Sequence, residues 1–231
     1  MDLLLEGMRQ AVMLLVAGDA EVWSILWLSL AVSGMATLIS LVLGVPLGAL
    51  LALARFPGRR VLVSAVNAGM GLPPVVVGLF VSLLLWRSGP LGDLEILYTP
   101  AAIVVAQAVI AAPIVTGITL AAVQNVPALF RLQLLALGAS RLQMVSIVIR
   151  EARLPMLAAV MAGFGGVISE VGASVMVGGN IKGQTRTLTT AMVLETGKGN
   201  FEVAIALAVL LLILVFAVSY ALTTIQQRRA G

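Results

Sequence analysis

At 231 residues, with Lys+Arg 14, Asp+Glu 10 and charged residues at 10%, the chain has a mean hydropathy of +1.12, where a soluble domain carries about a quarter of charged residues. No water-soluble core needs that much apolar surface, so the composition defines an integral membrane protein. Zero Cys excludes disulfides and thiolate metal sites, zero His removes the usual imidazole base or ligand, and the pI of about 10.3 comes from dispersed positive residues, not from the clustered basic face that nucleic acid requires.

In chain order, residues 1–17 are apolar, but Asp2 and Glu6 stand where a signal peptide has its positive charges. An amphipathic outer helix is the expectation there. Five charge-free runs follow, at 22–54, 61–86, 96–130, 154–169 with 171–181, and 203–227. A hydrocarbon layer of roughly 30 Å takes about 20 apolar residues as a helix, so each run can span once. The first run is longer than one crossing but too short for two helices and a turn. It reads as a tilted helix with an interfacial extension, bent at Gly44 and Pro46. Gly69, Gly71, Pro73 and Pro74 open the second helix, and Pro113 interrupts the third. Such residues mainly serve bends and close helix contacts, with lining of the substrate path as the alternative. Continuous apolar runs predict an all-α membrane protein, because a barrel would alternate apolar and polar residues over segments of about ten. No linker, low-complexity tract or repeat divides the chain. The expected organisation is an external or interfacial segment at 1–21, a transmembrane domain at 22–227 and a short tail at 228–231.

Positive residues beside spans resist translocation, which fixes orientation. With five crossings, Arg55, Arg59, Arg60, Arg131, Arg141, Arg150, Arg153, Arg228 and Arg229 share one side. The other side holds Arg9, Arg87, Lys182, Arg186 and Lys198 with most of the carboxylates. The richer side is the cytoplasm, so the N-terminus lies outside and the C-terminus inside.

Catalytic chemistry finds little support. Gly178 to Thr185 has a phosphate-loop glycine spacing, but Gln184 occupies the place of the required Lys, no strand precedes it, and it faces outward. No Ser/His/Asp set is possible without His, and no two carboxylates share an apparent pocket. On the cytoplasmic side, residues 131–153 read as helix, turn, helix. Leu132, Leu134, Leu135 and Leu137 lead to Gly138, and after Ala139 and Ser140 a second helix carries Leu142, Val145 and Ile149 with Arg141, Arg150 and Arg153. One apolar and one basic face suit either docking onto another protein or lying on anionic lipid. Glu170 is the only charged residue within a spanning run, where burial costs about 3 kcal/mol on insertion scales. It needs water or a partner, and a gate or a helix-to-helix hydrogen bond suits it better than contact with an anion. Lys182 and Arg186 are placed to attract a dianion at the outer mouth, or equally to sit in a solvated or headgroup-facing loop.

Several blocks carry a family resemblance. Leu137-Gly138-Ala139-Ser140-Arg141, between the third and fourth of five spans, resembles the coupling loop of a binding-protein-dependent ABC importer permease. Arg55-Phe56-Pro57-Gly58-Arg59, Gly71-Leu72-Pro73-Pro74-Val75, Ser88-Gly89-Pro90-Leu91-Gly92 and Ile168-Ser169-Glu170-Val171-Gly172-Ala173 resemble the molybdate, sulfate and tungstate permeases. The stretch from Met176 to Ala191, then Leu194-Glu195-Thr196-Gly197-Lys198-Gly199, is similar to the tungstate branch, as is Arg150-Glu151-Ala152-Arg153. Leu132-Gln133-Leu134 departs from the family by replacing its Glu-Ala-Ala, and a leading span common in molybdate-type permeases is missing from the pattern.

The resemblance implies a type I ABC importer permease-like fold and alternating access. It also implies a homodimer in the cell membrane, separate ATPase subunits docked at Gly138, Ala139, Ser140 and Arg141, and an extracytoplasmic oxyanion-binding protein. It implies no cofactor in this chain, ATP-Mg being held by the partner ATPase, and no catalysis. Glu170, Pro73 and Pro74 would form the pathway or gate. Tungstate is the expected substrate, with molybdate or sulfate as alternatives. A membrane-embedded enzyme is disfavoured by the missing His, Cys and carboxylate pairs. Glu170, the helix breakers and the long family match disfavour a passive anchor.

Overall fold

The structure is a computed structural model that describes residues 2–16 and 18–228; Arg229, counted above among the inner basic residues, and the rest of the tail at 229–231 lie outside them. In chain order the helices are α1 (Asp2–Val16), α2 (Ala20–Leu53), α3 (Arg59–Met70), α4 (Pro74–Leu85), α5 (Pro100–Gln124) and α6 (Ala128–Ala136), then α7 (Arg141–Glu151), α8 (Arg153–Ile168), α9 (Gly172–Gly178), α10 (Leu188–Gly197) and α11 (Phe201–Arg228). One 3-10 turn, Gly92–Leu94, lies between α4 and α5.

Of these, α2, α5 and α11 are each long and apolar enough to cross a membrane alone. The second and fourth apolar runs are not single straight helices. The second divides into α3 and α4, bent by 104°, and the fourth into α8 and α9, bent by 60°. Five crossings result if each bent pair counts as one span. The first break follows from the sequence Leu72-Pro73-Pro74: a residue before proline is pushed out of the helical region, and here two such residues are consecutive. Pro73 accordingly sits at φ −63, ψ 123, and Pro74 starts α4, where its missing N–H is harmless.

Pro113 does not interrupt the third helix, contrary to expectation. The helix α5 runs through it, because a transmembrane helix tolerates a lost hydrogen bond when a neighbour packs against the site. Gly69 of α3 supplies that neighbour, and a Cβ there would fall 2.8 Å from the Pro113 ring. Likewise α2 continues through Gly44 and Pro46. The third run also ends sooner than 130, at Gln124, since Pro127 imposes an extended backbone before α6.

The central contact is α2 against α5. Ser29, Ser33, Thr37, Ser40, Gly44 and Gly48 form a buried stripe on α2; small residues of this kind let membrane helices approach closely. A Cβ at Gly48 would meet the Thr116 carbonyl oxygen at 2.6 Å. Ser40 donates within its own helix to the Ala36 carbonyl at 2.8 Å and lies 3.2 Å from the Ala108 carbonyl of α5. Three apolar clusters then divide the molecule by depth. The middle one joins Val32, Val81, Ile103, Ile110, Val167 and Val177, drawn from α2, α4, α5, α8 and α9. A second packs Ala11 of α1 with Ile25, Leu188, Ala206, Leu207 and Leu210, placing α1 beside α11 near α10. The third joins Ala49 of α2, Ala122 and Val123 of α5, Val126, Val148 of α7 and Ala152.

Candidate functional site

The 131–153 region is the helix hairpin expected, formed by α6 and α7. Its turn is fixed by backbone geometry. Gly138 has φ +86, the Ala139 N–H donates to the Leu134 carbonyl at 3.0 Å, and the Gly138 N–H donates to that of Leu135 at 3.0 Å. This paired termination favours glycine. Ser140 then caps α7 reciprocally: its hydroxyl accepts from the Gln143 N–H at 3.3 Å, while the Ser140 N–H donates to Gln143 Oε1 at 2.8 Å. The next turn presents Arg141 and Leu142 outward. Arg141 stands at a helix N-terminus, where a cation gains nothing from the dipole, so its placement does not serve helix stability.

Leu142 does not join the apolar face assigned to it. It is 83% exposed, Leu137 across the turn is 84% exposed, and the buried side of α7 is Val148 with half-buried Met144, Val145 and Ile149. Arg153 opens α8 and does not belong to α7. The hairpin thus has an apolar base locked onto α2 and α5 and a tip bearing two exposed leucines and a cation.

The two helix breaks meet deeper in the molecule. A Cβ at Gly172 would lie 2.7 Å from the Val75 side chain, and one at Gly78 would lie 2.7 Å from the Ala173 Cα, so α4 and α9 touch through glycines just beyond Pro73 and Pro74. Glu170 sits in the second break, buried at 9% exposure, and its Oε1 accepts from the Ala173 N–H at 2.9 Å. Its backbone carbonyl accepts from the Thr189 hydroxyl at 2.9 Å. The carboxylate therefore satisfies a backbone donor at the start of α9, within its own chain segment. Gln107 of α5 completes the break by donating Nε2 to the Val167 carbonyl at 3.0 Å. Sequence reading missed Gln107 and Thr189; the usable signal was an amide inside an otherwise apolar run.

At the outer end, Lys182 and Arg186 converge on one carboxylate. Lys182 Nζ is 2.7 Å and Arg186 Nη1 3.6 Å from Glu21 at the start of α2. They border a cavity of about 420 Å³ that Asp19, Glu195 and Lys198 also line. The cluster balances three cations against three carboxylates. Hydrogen bonds from Asn200 and Lys198, at 2.7 Å each, hold the Glu195 carboxyl below its ordinary range, with Asn200 the larger cause. The phosphate-loop look-alike is a structural turn: Thr185 is buried and its hydroxyl donates to the Gly178 carbonyl, accepting in turn from the Ile181 N–H at 2.9 Å.

Three helices long and apolar enough to cross a membrane, two bent helix pairs that meet, and a hairpin at one end define a multi-pass membrane protein. Residues 44–231 match the family described as the binding-protein-dependent transport system inner membrane component, and the chain belongs to that family. It is the permease component of a binding-protein-dependent ABC importer. It is 37% identical over 227 residues, 98% of this chain and 100% of the other, to the tungstate uptake system permease protein TupB of Peptoclostridium acidaminophilum. A probable anion ABC transporter permease protein of Haloferax volcanii is 44% identical over 201 residues, covering 85% of this chain and 87% of that one. Among solved structures, an inward-facing form of the MetNI methionine ABC transporter superposes with a TM-score of 0.73 at 23% identity, over 90% of this chain and 94% of that chain. The fold is shared with that transporter.

Proposed function

We propose that this chain carries tungstate inward by alternating access, as one of two identical permease copies in a type I importer. The end-to-end similarity to a tungstate uptake permease, at 37% identity, carries the substrate assignment. In this reading the chain crosses five times, with the N-terminus and α1 outside and the hairpin in the cytoplasm, an orientation that the nine-to-five division of basic residues supports. A separate ATPase grips the tip at Gly138, Ala139, Ser140 and Arg141, with Arg141 pairing to a carboxylate and Leu137 and Leu142 filling apolar depressions. ATP binding on that subunit pulls the hairpin, and its apolar base passes the movement to α2, α5 and α8.

The broken spans are the moving parts in this reading. Irregular backbone at membrane depth is tolerated where it lines a cavity or is buried in protein, and Pro73, Pro74 and Glu170 lie at the two points where helix direction changes. Glu170 acts as a support of the gate, because its carboxylate is committed to the α9 backbone. Lys182 and Arg186 attract the oxyanion delivered by an external binding protein, and Glu21 is their releasable counter-ion. Exposed ion pairs contribute only about 0–1 kcal/mol, so a dianion competes readily for Lys182.

Reconstitution with the partner ATPase and candidate binding proteins tests the assignment. Tungstate-loaded binding protein is expected to stimulate ATP hydrolysis and uptake more than the molybdate- or sulfate-loaded form. Stimulation by a solute of another class, with none by any tetrahedral oxyanion, would overturn it.

A further inference from the structure

Two arginines at the base of the hairpin, Arg150 at the end of α7 and Arg153 at the start of α8, are left over by the coupling reading. α7 and α8 join through a single buried residue, Ala152, at φ −75, ψ 0, whose N–H still donates to the Val148 carbonyl at 3.0 Å. The helical path is almost continuous there, so Arg150 and Arg153 stand at i and i+3, a spacing that brings side chains together and makes like charges repel. Both are exposed, and among the described residues no carboxylate forms a salt bridge with either. Glu151, exposed and between them in sequence, forms no salt bridge with either, so among the described residues both guanidinium groups are unpaired.

They border a groove of about 320 Å³ whose walls are Leu41 and Val45 of α2 and Met156, Leu157 and Val160 of α8. Val160 lies seven residues beyond Arg153, about 10 Å along the helix, so the groove climbs from the cations into the spanning part of the molecule. Arg141 is nine residues before Arg150, about 14 Å away along α7; the groove is at the base of the hairpin and not at its tip.

We propose that this groove binds one anionic phospholipid, with the headgroup phosphate between Arg150 and Arg153 and an acyl chain against α2 and α8. A free phosphate would answer the arginines and leave the apolar walls uncovered. A zwitterionic lipid would cover the walls while bringing its own cation to the arginines. Charge and apolarity together select an anionic amphiphile.

The full-length permease, purified in neutral detergent, is exchanged into mixtures of phosphatidylglycerol and phosphatidylcholine with identical acyl chains, and the retained lipid is read by native mass spectrometry. The wild type is expected to retain phosphatidylglycerol preferentially, R150K/R153K to keep that preference, and R150Q/R153Q to lose roughly thirtyfold in retention, as removal of two interfacial cations requires. A thermal melt on each variant confirms folding. Equal retention of both lipids by the wild type, or undiminished phosphatidylglycerol on R150Q/R153Q, would overturn the proposal. Stabilisation by glycerol phosphate as large as that by phosphatidylglycerol would make this a phosphate site and overturn the lipid assignment. So would loss of ATPase co-purification in R150Q/R153Q with unchanged lipid.

Discussion

Replacing Gly138 by valine separates the hairpin's backbone geometry from its surface chemistry. The φ of +86 lies in the left-handed region, where a non-glycine residue costs about 1–3 kcal/mol and a β-branched one sits at the upper end. No heavy atom lies within 4 Å of the position a Cβ would take, so the penalty inside this chain is conformational and not a clash. It falls on the turn alone, because the base is held separately by Val148, Ala152, Val123 and Val126. An energy of that size reduces the population of the observed turn by roughly 5- to 150-fold. Gly138→Val should therefore reach the membrane at normal abundance yet lose ATPase association, or retain it while hydrolysing ATP without import. Gly138→Asn, of similar bulk but tolerant of left-handed backbone, should recover most of the function. Quantitative membrane blotting, ATPase co-purification and the ratio of import to hydrolysis read the outcome. Normal binding with normal import by Gly138→Val would remove this residue from the coupling mechanism.

Glu170→Gln keeps an oxygen to accept the Ala173 N–H and should assemble normally while altering transport. Glu170→Leu strands that buried donor at a cost of about 1–3 kcal/mol and should be worse; wild-type uptake by both would reduce Glu170 to a tolerated structural residue. Single cysteines at Asp93 and Lys198 should label from outside intact cells and one at Arg141 should not, against a chain with zero native Cys; external labelling of Arg141→Cys would reverse the orientation. Because the folded state depresses the Glu195 pKa, the associated stability is present above the unfolded-state pKa and lost as pH falls through the folded one. Hydrogen-exchange protection at 198–201, taken relative to the intrinsic rate at each pH, should accordingly fall on acidification below the ordinary carboxylate range, and in Glu195→Gln it should be lower and independent of pH. Glu21→Gln should free Lys182 and Arg186 and lower the tungstate-loaded binding protein concentration needed for half-maximal ATPase stimulation; an unchanged value would remove Glu21 as their counter-ion.

Much of this fold is legible because the membrane permits few solutions. Apolar run length predicts helices, and Gly138 predicts the end of one helix before a second begins after Ser140; the reciprocal cap between Ser140 and Gln143 emerges only from the structure. The failures have a common physical cause: periodicity and breakers report local backbone preference, whereas tertiary partners decide whether a breaker breaks. Pro73 and Pro74 break a helix because they are adjacent and preceded by a residue that proline excludes from helix. Pro113 does not, because Gly69 leaves room for its ring. Nothing in the order of residues reveals that pairing across 44 positions. Ion pairs between distant positions are illegible for the same reason. Lys182 and Arg186 read as unclaimed cations until Glu21, 161 and 165 positions away, is found beside them.

The distribution of polar contacts explains how one chain can be stiff at its inner end and adjustable within. At the hairpin's base the contacts are alkyl groups in close packing, which resist displacement because interiors are bistable and not continuously deformable. At the two breaks an apolar cluster is joined by single side-chain-to-backbone hydrogen bonds: Glu170 Oε1 accepts from the Ala173 N–H, while Thr189 and Gln107 donate to the Glu170 and Val167 carbonyls. Each such bond contributes only about 0.5–1.5 kcal/mol net, so in the proposed mechanism it is exchanged for another partner as α9 moves. Glycines at 78 and 172 let α4 and α9 approach closely, because a Cβ at either position would fall 2.7 Å from Ala173 Cα or the Val75 side chain. In the proposed mechanism a pull at Gly138–Arg141 would pass through the packed base to the junction of the two breaks, where backbone groups are held by side chains and not by the helical ladder.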